Sequence, residues 1–223
     1  MALLVETKDA TALSDGEIAE MADLSAHGPA GFDVGYLSKQ RDEWVLVTKC
    51  YDGNKLRGWS FFTLERIGGT PCLIIGVASV ESNSKSELIL KHVLGDQYRR
   101  SVLAFPDEDV LVGTRMMDSK AFAAFQGLID IVPRPTHKPT GEERAWGRRL
   151  AKRFGGEHRI DDRIFVLKGT GEIDGLLDFT GPKVEIEAEV AAQFDCLDID
   201  RRDTLVTFGW ATAEDLAAGK LGR

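Results

Sequence analysis

The chain has 223 residues, 29% of them charged and 43% hydrophobic, with a mean hydropathy of −0.16; these proportions exclude a disordered chain, a collagen-like repeat and a polytopic membrane protein. The length corresponds to about one and a half average domains and is enough to bury a core without disulfide or metal staples. The formal net charge of −8 argues against binding nucleic acid or an anionic membrane through bulk charge.

Glu6 and Lys8 interrupt the first apolar residues before a signal-peptide core develops, and the longest apolar run, 73–80, is far shorter than the ~20 residues a membrane span needs. Cys50, Cys72 and Cys196 are scattered and odd in number, which fits reduced thiols in a cytoplasmic protein. Ser14-Asp15-Gly16-Glu17 has capping-box spacing and predicts a helix with Ile18, Met21 and Ala22 inward. A loop over 26–35 precedes a second short helix over 36–42. Three strand-like runs follow, 44–51, 59–67 and 71–80, separated by Asp52-Gly53-Asn54 and Gly68-Gly69; such tight turns predict an antiparallel meander.

Ser84-Lys85-Ser86-Glu87 repeats the capping-box spacing and predicts a helix that turns Leu90 and Leu94 to the sheet and weakens or ends at Gly95. The run 109–115 reads as a strand buried on both faces. A helix from Asp118 or Ser119 carries Ala121, Phe122, Phe125 and Leu128, a short apolar run covers 129–132, and the prolines at 133, 135 and 139 make an extended connector. Thr140-Gly141-Glu142-Glu143 opens a helix with Trp146, Leu150 and Phe154 on one face, stopped by Gly155-Gly156. Beyond a strand over 164–167, residues 168–183 read as a loop or linker. The stretch 184–194 fits both periods, with composition favouring helix; a last strand covers 204–208, and Thr212 caps a short terminal helix.

This order of helices, meander, helix, strand, helix and strand, carried by residues 13–167, resembles the GNAT superfamily of acyl-CoA-dependent N-acyltransferases. The resemblance implies an α/β fold with a mixed, mostly antiparallel sheet flanked by helices, in a core domain over 1–168; the acidic extension over 169–223 is expected to pack on it, because Ile186, Val190, Phe194 and Leu205 need burial. It also implies that the fourth and fifth strands splay apart around the pantetheine of acetyl-CoA or another acyl-CoA, while amides opening the next helix hold the pyrophosphate, a helix N-terminus being a natural anion site. Its contacts would then come from Val77, Ser79, Ser82, Asn83, Ser84, Lys85 and Ser86, and from Asp118 and Phe125 on the later helix. The sequence departs from the family at two motifs. The loop 81–85 lacks the glycines that let a backbone approach phosphate, and Phe125 stands where the family has a tyrosine that protonates the departing thiolate, so no general acid is identified. Glu81, at the end of the fourth strand, is the candidate base. Two readings follow: an N-acyltransferase working mainly by proximity on a small-molecule or peptide amine, or a non-catalytic GNAT-like ligand- or protein-binding module. A third, a different α/β topology, would show as a fifth strand not adjacent to the fourth.

Other constellations say less. Arg144, Arg148, Arg149, Lys152 and Arg153 gather on one helix, where they could hold a phosphate or form a solvated face. The four histidines have no metal-ligand spacing, so no metal site is expected, and no serine-hydrolase elbow or P-loop is present. Charge is unevenly spread: residues 172–203 hold ten acids against three bases, net −7, while residues 134–163 hold nine bases against five acids, net +4. The acidic stretch is therefore expected to dock on the basic helix or to favour a cationic acceptor.

Overall fold

The computed structural model describes residues 2–222. Its first strand, β1 (Leu3–Asp9), precedes two helices, α1 (Asp15–Ser25) and α2 (Val34–Glu43), and a meander of β2 (Leu46–Asp52), β3 (Lys55–Ile67) and β4 (Thr70–Val80). Helix α3 (Ser86–Ala104) leads to β5 (Val110–Met116), followed by a 3-10 helix (Ser119–Phe125), β6 (Ile129–Val132) and α4 (Gly141–Arg153). The remainder holds β7 (Ile160–Asp161), β8 (Val166–Leu167), β9 (Leu177–Asp178), α5 (Ala188–Ala191), β10 (Thr204–Ala211) and α6 (Ala213–Ala217). One sheet runs in the order β1-β2-β3-β4-β5-β10-β8-β7, with β6 also pairing β10 and β9 also pairing β4. Along the path from β1 to β7 every pair is antiparallel except β4 with β5. Those two are joined by α3, the kind of crossover a parallel pair needs.

Local chemistry explains most of these elements. Ser14 and Glu17 form the expected capping box of α1, and Thr140 with Glu143 that of α4. Glu17 also anchors α1 to the sheet, because it pairs with the ammonium of Lys49, which is almost wholly buried on β2. Burial works against charge on Glu17, but Lys49, Lys8 and Ser14 together hold its carboxyl far below the usual range. Two apolar clusters fill the molecule. Trp59, Phe61, Leu150 and Phe208 belong to one, and Phe62, Leu90, Tyr98 and Phe125 to the other.

Several expectations are corrected. Residues 3–9, to which the sequence assigns no element, form an edge strand in register with β2. Helix α3 does not end at Gly95; the absent side chain there admits the C-terminal backbone, and a Cβ would stand 3.2 Å from the Gly222 carbonyl oxygen. The second capping box is not formed: α3 begins at Ser86, whose hydroxyl donates to the carbonyls of Glu81 and Asn83 instead. The helix after β5 is 3-10, the expected helix over 184–194 shrinks to Ala188–Ala191 with a 3-10 turn over Ala192–Phe194, and the linker 168–183 contains β9. The composition boundary at 168/169 is crossed by the sheet itself. β10 pairs β5 over seven residues, so the extension supplies an interior strand and does not merely cover a finished core.

Candidate functional site

β4 and β5 pair only where Cys72–Ile74 meet Leu111–Gly113. Beyond this, β4 has a bulge at Gly76: Val77 pairs with Phe61 and Ile75 with Phe62, leaving Gly76 unmatched. A bulge bends its strand and adds twist, here directing β4 away from β5. The indole of Trp44 lies against the bulge, and a Cβ on Gly76 would stand 2.0 Å from it. Where the strands part, the Thr114 hydroxyl donates to the Ile75 carbonyl at 2.9 Å.

The gap is filled by the chain's own residues 174–179. β9 runs parallel to β4, with Ala78 opposite Leu177 and Ser79 opposite Asp178, and the Ala78 N–H donates to the Leu176 carbonyl at 3.0 Å. Leu176, Leu177 and Phe179 are buried. Upstream, the segment is pinned by an ion pair of 3.0 Å between Asp174 and Arg115, a β5 residue only 3% exposed whose guanidinium also lies 4.6 Å from the Phe154 ring centroid. Gly175 lets the segment pass: a Cβ there would stand 2.6 Å from Arg115 Nη2 and 2.8 Å from the Gly76 carbonyl oxygen.

Past β9 the C-terminal end of β4 opens into a cleft of about 820 Å³ between α1, the β2–β3 turn and the start of α3. Leu24, Leu56, Val80 and Ile89 give it apolar walls, and Glu20, Asp23, Glu81 and Asp178 contribute carboxylates. Glu81 is held by Lys55 at 2.9 Å, by Arg57 and by the Asn83 side chain. Burial acts to raise its carboxyl, but these donors outweigh it and leave it below the ordinary range. Such a carboxylate is a weaker base than a free one. Asp178 behaves in the opposite way. It is 3% exposed, and desolvation pushes its carboxyl up to about 6, although the Ala30 N–H and the Ser79 hydroxyl favour its charged form. Its Oδ2 has no hydrogen-bond partner. A buried carboxylate shifted toward neutrality beside a cleft is a candidate functional group. Sequence reasoning missed Asp178, since nothing in Leu176-Leu177-Asp178-Phe179 separates it from the nine other acids of the acidic stretch.

The topology is decisive for the fold: a meander, a helical crossover, a parallel fifth strand that parts from the fourth, and a final strand inserted between the fifth and sixth. The fold is GNAT-like. No protein-family model matches the sequence, and no curated protein does. Among solved structures, the chain is similar to an aminoglycoside 6'-N-acetyltransferase from Enterococcus faecium, with 12% identity over 61% of this chain and 67% of that one and a TM-score of 0.41. It is also similar to the ribosomal-protein-S18-alanine N-acetyltransferase from Escherichia coli, with 11% identity over 62% and 86% and a TM-score of 0.39. A conserved protein of unknown function from Enterococcus faecalis, described as a probable N-acyltransferase, matches at 10% identity over 62% and 38%, with a TM-score of 0.40.

Within this GNAT-like fold the residues do not fit an acyl-CoA in the way the resemblance implies. β9 pairs with Ala78 and Ser79, and Gly175 lies against Val77, where pantetheine would lie. Ser82, Asn83, Ser84 and Lys85 do line the cleft. The loop amides are largely used, however, with Asn83 N–H donating to the Ser86 hydroxyl, Lys85 N–H to Asn83 Oδ1 and Ser86 N–H to the Asn83 carbonyl. The Lys85 ammonium is engaged by Asp52 at 2.7 Å. Asp118 caps the 3-10 helix through the Lys120 N–H, and Phe125 is 0% exposed among the core residues under α3. The basic helix is likewise taken up locally: Arg153 pairs with Glu65, Arg148 with Asp162, and Arg134 with Glu143. Among the described residues no three His, Cys, Asp or Glu side chains are grouped to hold a metal ion, and no helix is long and apolar enough to cross a membrane.

Proposed function

We propose that this protein is a small-molecule-binding module on a GNAT-like fold, whose ligand enters the cleft at the C-terminal end of β4 and which works without acyl-CoA between β4 and β5. The observation that supports this reading most is the pairing of β9 with β4 in the gap, since it uses the Ala78 N–H and the space that a pantetheine arm requires. The buried Phe125 and the ion-paired Glu81 agree with it. A reducing, cytoplasmic setting accords with three free cysteines, the two buried ones with thiols raised to about 11.

The second reading is acyl-CoA-dependent N-acyl transfer. It is favoured by the parting of β4 and β5 itself and by the first-turn amides of α3, which by helix geometry lack intrahelical acceptors. Titration calorimetry with acetyl-CoA and with a long-chain acyl-CoA separates the two. The binding reading expects no saturable heat up to millimolar concentration. A micromolar Kd, together with release of free CoA on adding amines, would overturn it.

A further inference from the structure

Residues 174–179 close the β4–β5 gap with little backbone pairing. β9 meets β4 at two positions, Ala78 with Leu177 and Ser79 with Asp178, and the Ala78 N–H donates to the Leu176 carbonyl. The chain is fastened just upstream, where the Gly169 N–H donates to Asp203 at 2.8 Å and the Gly171 N–H to the Arg201 carbonyl at 3.0 Å. Gly171, at φ +84°, lies in the left-handed region and gives the backbone a pivot there. Leu176, Leu177 and Phe179 hold the segment down by burial. Asp178, between them, works against closure. Its Oδ2 is buried without a partner, and the chain packs so closely over it that a Cβ on Gly28 would stand 2.2 Å away. The charged groups around it bring no relief. His27 of the loop after α1, Glu20 and Asp23 of α1 and Glu81 after β4 share the cleft with it, and Asp118 after β5 opposes its charge. The cations of the cleft are engaged elsewhere, Lys55 and Arg57 by Glu81 and Lys85 by Asp52.

A charged carboxylate short of donors costs far more to bury than a neutral one. The closed segment therefore fits a protonated Asp178 better than an ionised one, whereas outside the gap water would hydrate the charge. We propose that residues 174–179 are a pH-sensitive strap: with Asp178 protonated it stays closed in the β4–β5 gap, and with Asp178 ionised it swings out more often, baring the Ala78 N–H and the Arg115 guanidinium and taking away the wall that Asp178 gives the cleft. This gating does not depend on which ligand the cleft takes. Burial raises the carboxyl to about 6 while the strap is closed, against an ordinary 3.8 in water. Opening is accordingly favoured as pH rises between those values and gains nothing further above about pH 6. Three buried apolar side chains keep drawing the strap back, so ionisation enlarges a minor open population and does not empty the gap.

The test is hydrogen exchange on the full chain at pH 4.5 and 7.5, each rate taken against the intrinsic chemical rate at that pH. Protection of the Ala78 amide is expected to fall at least tenfold between the two, while the amides of β3 stay better protected than Ala78 at both. In Asp178→Asn the drop is expected to vanish. If that variant does not fold, Ser79→Ala serves instead: it removes a donor that favours the charged form, and the drop should steepen at least threefold. Protection of Ala78 that is the same at both pH values, a drop that persists in Asp178→Asn or is unchanged in Ser79→Ala, or Ala78 protection equal to that of β3 overturns the strap. No ligand enters the measurement, so its failure leaves the binding reading standing, and acetyl-CoA binding that overturns that reading leaves the strap to be judged by exchange alone.

Discussion

Burial raises the Asp178 carboxyl from its ordinary 3.8 to about 6, and nearby Asp118 acts in the same direction. Between those two pH values the folded protein holds a proton that the unfolded chain has released, so stability falls as pH rises through the window, and the deficit is complete above about pH 6. Two pKa units correspond to about 3 kcal/mol. Asp178→Asn is accordingly expected to stabilise the protein by about 2 kcal/mol at pH 7.5, an advantage that disappears toward pH 4; urea denaturation at both values checks this, and an equal difference at the two would refute it. A residue whose removal stabilises the fold is of the kind found at functional sites. At this scale the sequence was legible only for local chemistry, such as the Ser14 and Thr140 caps. Glu81 was readable as an acid ending a strand, but the partners that make it a poor base, Lys55 and Arg57, lie 26 and 24 residues away.

The decisive element is the segment carrying β9. Gly175 allows it to lie against Arg115 and the Gly76 carbonyl, so Gly175→Val is expected to lift it from the gap and to cost about 1–3 kcal/mol by overpacking. The readout is hydrogen exchange at the Ala78 amide, now donating to Leu176; exchange should speed at least tenfold, and unchanged protection would show that the segment is held by something else. Periodicity could not reveal this strand. Its paired stretch is two residues long, and it pairs only because the Gly76 bulge leaves an open strand edge to accept it. Longer elements were legible because a run such as β5, buried throughout, states its environment in every residue. The capping signal ahead of α3 misled for the converse reason: the Ser86 hydroxyl found carbonyl acceptors in the preceding loop.

For the whole molecule, among the described residues, the acidic stretch beyond residue 168 meets the basic one at a single ion pair, Asp174 with Arg159 at 3.4 Å, and Asp174 also serves Arg115. Asp178 and Asp203 are buried, the latter accepting from the Gly169 N–H. What integrates the extension is backbone pairing, with Val206 and Phe208 of β10 fully in the core. A chain ended after Lys168 is expected to lose cooperative unfolding, because β5 would present a bare edge, β6 would lose its partner and the β7–β8 pair would be cut off from the sheet; a sharp two-state urea transition in that truncation would disprove the integration. The sequence by itself determined the meander, the crossover helix, the fifth strand and the absence of the family's glycines and tyrosine, since each is written in contiguous residues through hydrophobic period, turn chemistry or plain identity. Only the tertiary structure decided what fills the gap between β4 and β5, which acid is buried and which is paired, and that the half-domain surplus of the chain lies inside the sheet, because these depend on residues tens to more than a hundred positions apart meeting through backbone hydrogen bonds and desolvation that no local pattern records.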